Sequence, residues 1–168
     1  TILIKAPNGK GKSTILSALV WAIYGKNLKG VSEVNTWKQV RPKDYKGTKV
    51  QVYFQKDSHT YKIVRCQKYD EVLEDGAKGK DRLIFMKDGD IVDIKGKGKI
   101  QDFINREIGL SYTLFMNSIM FGQGIKRLIQ ESNSDKKKIF EEVFDLEFLN
   151  IAKGIAMQDK NNLLAQAN

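Results

Sequence analysis

Ala6-Pro7-Asn8-Gly9-Lys10-Gly11-Lys12-Ser13-Thr14 is the stretch that decides the fold. It follows Thr1 to Lys5, a short β-branched apolar run that predicts a strand. It precedes Ile15, Leu16, Leu19 and Ile23, which share one helical face that Gly25 is placed to end. Strand, loop and helix in that order are the setting in which G-x-x-x-x-G-K-[ST] holds the phosphates of a nucleotide. Gly11, Lys12 and Ser13 match this pattern, and Ala6 stands where it has its first glycine. The chemistry requires a tight loop whose backbone N–H groups converge on phosphate oxygens, backed by the positive end of a helix. Gly9 and Gly11 supply that backbone freedom, and alanine is the smallest departure at the first position. Asn8, Gly9, Lys10, Gly11, Lys12, Ser13 and Thr14 are therefore the candidate binding residues. Lys12 is expected to reach the β- and γ-phosphates and the Ser13 hydroxyl to bind magnesium. A glycine-lysine surface loop can match by accident, as Lys95-Gly96-Lys97-Gly98-Lys99 illustrates, but only the first stretch lies between a strand and an amphipathic helix.

Outward from the loop, 168 residues with 41% hydrophobic side chains suit one domain with a real core. The net charge of +9 is uneven: residues 1–100 hold 21 basic and 11 acidic side chains, residues 101–168 hold 8 and 9. A polyanion partner should meet the first half. Cys66 is the sole cysteine, which excludes an internal disulfide and a cysteine metal cluster and fits a reducing compartment. No apolar run approaches the roughly 18 residues needed to cross a bilayer, so no membrane partner is expected. The chain opens at Thr1 without methionine, directly in a strand pattern, and upstream sequence is expected.

Further along, Lys26 to Lys49 lacks clear periodicity and carries seven basic residues with Trp37 and Tyr45 among them. Thr48 to Phe54 and Thr60 to Cys66 alternate around Lys56-Asp57-Ser58-His59 and predict an antiparallel hairpin. A second hairpin is predicted at Leu83 to Met86 and Ile91 to Ile94, turning through Asp88-Gly89. Asp70 to Lys80, between them, reads as a mobile loop. Ile100, Phe103, Ile104 and Ile108 return to helical spacing with Gly109 as the stop, and Ser111 begins a short helix. Ile119 to Phe121 is a candidate strand before Gly122-Gln123-Gly124. Ser134 or Asp135 is expected to cap a helix carrying Ile139, Val143 and Phe144, and a last helix runs from about Glu147. In that last helix Leu149, Ala152, Ala156, Asp159 and Leu163 keep three-four spacing over too short a span to establish a coiled coil.

Three segments together resemble the SMC-like ABC ATPases: A-P-N-G-K-G-K-S-T-I-L-S-A-L-V-W-A-I-Y-G-K from Ala6, M-F-G-Q-G-I-K-R-L-I-Q from Met120, and D-K-K-K-I-F-E-E-V-F from Asp135. Within them the chain is most similar to the large subunit of the double-strand-break repair nuclease, the bacterial SbcC and eukaryotic Rad-fifty group with its bacteriophage relatives. The resemblance spans nearly the whole chain, as the N-terminal lobe of a head domain. It implies an α/β P-loop fold of ABC type with added antiparallel hairpins, a lobe over residues 1–146, and the root of a coiled coil over 147–168. It implies ATP and Mg2+ as ligands, with Gln123 joining Ser13 at the metal and sensing the γ-phosphate, so Lys12 and Gln123 are the candidate catalytic residues. The implied partners are the C-terminal lobe of the same protein, a second head in a homodimer, a nuclease subunit and double-stranded DNA. The implied setting is the cytoplasm of a bacterial or phage-infected cell, or the nucleus in a eukaryote.

Two motifs of that family have no counterpart here. There is no L-S-G-G signature and no apolar run closing on Asp-Glu; Leu110-Ser111-Tyr112 and Phe144-Asp145-Leu146-Glu147 are the nearest strings and neither fits. In the family both lie in a lobe beyond the coiled coil. The chain alone is therefore expected to hold half an active site and to hydrolyse ATP slowly or not at all.

Two lysine groups are candidate DNA contacts, since each lysine on a phosphate adds sequence-independent affinity: Lys95, Lys97 and Lys99 before a helix, and Lys43, Lys46 and Lys49. For any single lysine a solvated surface is the commoner role. His59 sits in a predicted turn with no neighbouring ligand or nucleophile, Cys66 reads as a small buried side chain, and Trp37 and Tyr45 read as loop packing before base stacking. Alternatives remain open: a condensin-type or RecF/RecN-type head, a DNA-binding dimerisation module whose loop is only structural, and a phosphotransferase kinase.

Overall fold

The computed structural model describes residues 3–34, 41–120, 128–144 and 146–166. The chain forms two compact units, Thr1–Tyr112 and Thr113–Asn168. The boundary falls inside the stretch that the sequence reading takes as one lobe.

In the first unit, helix α1 (Lys12–Tyr24) follows the glycine loop directly. Its buried residues are Val20, Trp21, Ala22, Ile23 and Tyr24, so the C-terminal end is covered on all sides, while Ile15 and Leu16 are 56% and 42% exposed. The single apolar face expected from Ile15 through Ile23 is thus replaced by a buried end: among the described residues Ser17 to Leu19 are half-buried and the cover is complete from Val20 onward. Gly25, at φ 72°, stops it and donates its N–H to the Trp21 carbonyl at 2.8 Å. Upstream, Leu3 to Lys5 form no strand, and Leu3 is 86% exposed. A strand exists only through its ladder partners, and none is present among the described residues.

Strands β1 (Thr48–Lys56) and β2 (His59–Gln67) make the first hairpin, in register from Thr48 opposite Gln67 to Lys56 opposite His59. The two residues between them, Asp57 and Ser58, are both left-handed, at φ 50° and 68°, as a two-residue turn between twisted strands requires. Asp70 to Lys80 is not a free loop. It folds into β3 (Tyr69–Val72) and β4 (Lys78–Lys80), a small separate antiparallel pair. Gly79 permits this, because a Cβ there would lie 2.4 Å from the Tyr69 ring. Strand β5 (Leu83–Lys87) pairs with β2, and β6 (Asp90–Ile91) turns back on β5 through left-handed Asp88 and Gly89. The four-stranded order is β1-β2-β5-β6.

β2 is central, and its end from Ile63 to Cys66 is buried on both faces. One face presents Val64 and Cys66 to Tyr69, Leu73 and Ile84, beneath the β3–β4 excursion. The other presents Ile63 and Arg65 toward the helices. There Phe85 meets Phe103 of α2 (Lys97–Ile108) edge-on at 5.6 Å, and Ile104 is fully buried. Burying such rings contributes about 1.5–3 kcal/mol each. Gly109 ends α2 in the same left-handed manner as Gly25 ends α1.

In the second unit, α3 (Tyr112–Ser118) buries Phe115 and Met116. The strand expected at Ile119 to Phe121 is not formed at Ile119 and Met120, whose N–H groups close the helix on the Phe115 carbonyl; Phe121 lies outside the described residues. Helix α4 (Asn133–Val143) is capped by Ser132, whose Oγ accepts the Asp135 N–H at 3.2 Å and donates to its carboxylate. The cap thus stands two residues before Ser134, because the hydroxyl must precede the first turn to reach its N–H groups. Helix α5 (Glu147–Gln166) exposes Phe148, Ile151, Ile155 and Leu163, each at least 56%. No helix among the described residues is long and apolar enough to cross a membrane.

Candidate nucleotide site

Two glycines shape the loop. Gly9 and Gly11 both adopt left-handed backbone, at φ 78° and 80°. A Cβ on Gly9 would meet nothing within 4 Å, and one on Gly11 would meet only the Thr14 side chain near 3.8 Å. Glycine is therefore required here for conformation and not for room. Gly11 is also the N-cap of α1 and offers no side chain to cap it, and the first turn carries no acidic residue. The first-turn N–H groups of a helix have no partner within the helix, and the end carries about half a positive charge. The Thr14 N–H is bonded locally, to the Gly11 carbonyl at 3.0 Å. Residues 7–11 and Ser13 and Thr14 are exposed.

Lys12 folds back across the loop. Its Nζ donates to the carbonyls of Ala6 at 2.7 Å and Pro7 at 2.9 Å. Both acceptors are neutral, so an incoming phosphate oxygen would offer this ammonium a stronger, charge-assisted bond. Ala6, the departure from the glycine pattern, thus serves through its backbone. Beside the loop a cleft of about 330 Å³ runs along α1 from Thr14 past Ala18 and Trp21 to Asn27, Val34 and Val50. That size falls within the range of small-molecule pockets. Exposed Ser13 stands in the first helical turn, where a hydroxyl suits a magnesium ion held beside phosphates. Among the described residues no group of three or more His, Cys, Asp or Glu side chains could hold a metal ion. Gln123, the expected companion of Ser13, lies outside the described residues, as does Trp37.

The lysine groups take different surroundings. Lys43 is exposed. Lys46 pairs with Glu71, and this hydrogen bond raises the lysine above its ordinary pKa and holds the carboxylate below its own. Lys49 lies over the Tyr69 ring at 5.0 Å. Tyr45 shares a hydrogen bond with Thr48 and lies under Arg41, so it packs locally. Lys95 and Lys99 are exposed on either side of the α2 N-terminus, and Lys97 is its first residue.

Two features escaped the sequence reading. His59 has a partner after all, since its Nδ1 lies 2.5 Å from the Asp88 carboxylate, which also accepts the Thr60 N–H at 2.8 Å. The pair ties one hairpin turn to the other. Arg65, inside the predicted strand Thr60 to Cys66 and not singled out there, is 7% exposed. Its place opposite Leu83 comes from the pairing of β2 with β5, so nothing in the sequence marked it.

Comparison with known proteins identifies the family. Residues 1–167 match the AAA domain family. The chain is 29% identical over 162 residues to the "Probable DNA double-strand break repair Rad50 ATPase" of Aquifex aeolicus, covering 96% of this chain and 16% of that protein. It is 23% identical over 150 residues to the "DNA double-strand break repair Rad50 ATPase" of Methanopyrus kandleri, covering 86% and 16%, and 28% identical over 150 residues to the protein of that name from Thermoplasma acidophilum, covering 88% and 15%. The chain spans about a sixth of the length of these curated relatives. It belongs to the AAA domain family, and within it resembles the SMC-like Rad50/SbcC ATPases.

Proposed function

We propose that this chain is the ATP-binding half of an SMC-like ATPase head that acts on DNA ends in double-strand-break repair together with a nuclease partner. The observation that carries the reading is the exposed, left-handed loop at the uncapped start of α1, with Lys12 held over it by two neutral carbonyls. Asn8 to Thr14 cradle the phosphates through backbone N–H groups. Lys12 leaves the Ala6 and Pro7 carbonyls for the β- and γ-phosphate oxygens, and the cleft from Thr14 to Val50 admits the nucleoside. Ser13 and Gln123 hold the magnesium ion, which when bound neutralises charge between the phosphates. Residues 1–146 act as the N-terminal lobe and 147–168 as the root of a coiled coil. Two heads close on two ATP molecules, each loop completed by the signature segment of the other head, and ATP drives closure through its higher affinity for the closed state. The exposed lysines around α2 and Lys43 to Lys49 hold duplex DNA through its phosphates.

Lys12→Ala tests the loop. Removing one charge-assisted donor costs about 1.5–3 kcal/mol, or roughly 10- to 150-fold in affinity for Mg-ATP by equilibrium titration. Unchanged affinity removes the basis of the reading. Turnover by the isolated chain is expected near background, and rapid hydrolysis abolished by Lys12→Ala would show that the site is complete without a second lobe.

A further inference from the structure

Arg65 lies where two helices meet. Its Nε donates to the Ala22 carbonyl at 2.8 Å, and its Nη2 donates to the Ile23 carbonyl at 3.1 Å and to Oε1 of Gln101. Gln101 answers with its own amide, donating to the same Ile23 carbonyl at 2.9 Å and to Asn105 at 3.0 Å. All of these acceptors are neutral. Burial pushes the guanidinium down to about 10, so it stays charged at neutral pH without a carboxylate among its hydrogen-bond partners. The compensation comes from the carbonyl end of α1, where the helix dipole concentrates partial negative charge. An apolar residue would fill this place at lower desolvation cost, so the contribution of the arginine is directional. Gly25 leaves room for it, since a Cβ there would stand 3.0 Å from Nη1.

The bridge joins informative ends. Ala22 and Ile23 close the helix whose other end is Lys12, and Gln101 lies one turn inside the helix that Lys97 begins. Tyr24 also donates to the Leu110 carbonyl beyond α2 at 3.0 Å. We infer that Arg65, acting with Gln101, is a positioning residue that locks the end of the phosphate-loop helix to the first turns of α2, so that nucleotide at the loop and polyanion at Lys95 and Lys99 each change the affinity of the other. The inference rests on the nucleotide and DNA readings proposed above. Because such coupling is reciprocal, it is measurable from either ligand.

The experiment uses the full-length natural protein, a fluorescent ATP analogue with Mg2+, and a short duplex DNA. Each ligand is titrated alone and against saturating amounts of the other. Wild type is expected to show coupling of about fivefold or more. Gln101→Ala keeps the two Arg65 bonds to α1 but breaks the bridge. It should hold each separate affinity within about twofold while the coupling ratio falls toward one, and Arg65→Lys, which keeps charge without the fork, should do the same. Should Gln101→Ala fail to fold, Gln101→Met, which keeps the side-chain length and removes both the acceptor for Arg65 and the donor to Ile23, is expected to lower the ratio. A ratio of one in wild type overturns the inference, as does a variant that loses stability and both affinities with the ratio intact. Absence of nucleotide binding to wild type defeats the underlying reading itself and is recognised before any variant is made.

Discussion

Gly11→Ala separates backbone strain from contact in the phosphate loop. Gly11 sits at φ 80° and ψ 13°, and an added methyl would meet nothing closer than the Thr14 side chain near 3.8 Å. The substitution therefore causes no clash, and its cost is that of holding an L-residue in the left-handed region, about 1–2 kcal/mol. Where that cost falls depends on what holds the loop. Residues 7–11 are exposed, and nothing lies within 4 Å of a Cβ on Gly9, so little packing resists relaxation in the free protein. The alanine loop should relax, leave folding stability almost unchanged, and take up the strained form only around phosphate. Nucleotide affinity should then fall about 5- to 30-fold. Equilibrium titration with a fluorescent ATP analogue and Mg2+, beside a thermal melt of the same sample, reads both quantities. Full affinity with a melting loss equivalent to 1–2 kcal/mol would show that the fold imposes the loop, and a loss beyond about a hundredfold would show that contact and not strain is at stake.

Elsewhere glycine is a matter of room. Gly47→Ala would place Cβ 2.1 Å from the Lys68 carbonyl oxygen and 2.6 Å from the Tyr69 Cα, both backbone, so β1 must shift. Urea unfolding should show a loss above about 3 kcal/mol, against about 1 kcal/mol for Gly76→Ala, where φ is also positive but the space is open. The Asp88 carboxylate is held below its ordinary 3.8 by the Thr60 N–H and then by His59. A depressed carboxylate pKa contributes stability above the unfolded value and loses it as pH falls through the folded one. Asp88→Asn should therefore destabilise the protein near neutrality, with the gap to wild type closing below pH 3.8. An equal gap in urea midpoints at about pH 2.5 and pH 6 would refute this.

The features legible in the sequence are local ones. Asp57-Ser58, Asp88-Gly89, Gly25 and Gly109 each set a turn or a helix stop through their own backbone, and all four stand where expected. The left-handed glycines of the phosphate loop belong to the same class. Periodicity misleads where neighbours decide. Ile15 and Leu16 read as core and are exposed, whereas Tyr69 to Val72 and Lys78 to Lys80 carry too many charges to read as strands and pair nonetheless. The apolar run at Leu3 to Lys5 has strand propensity without a ladder partner among the described residues. Lys43 to Lys49 looks uniform along the chain, yet only the fold distinguishes an exposed lysine, an ion pair with Glu71 and a cation over Tyr69.

By itself, then, the sequence determined the loop, the turns and the helix stops, because a backbone angle and a short run of donors depend on residues a few positions apart. Only the tertiary structure decided that a charged residue of β2 would be buried against carbonyls 42 and 43 positions away and a glutamine 36 positions on. The reason is physical: a buried charge is tolerable only where several distant dipoles converge, and that convergence is a property of packed helices and not of any segment.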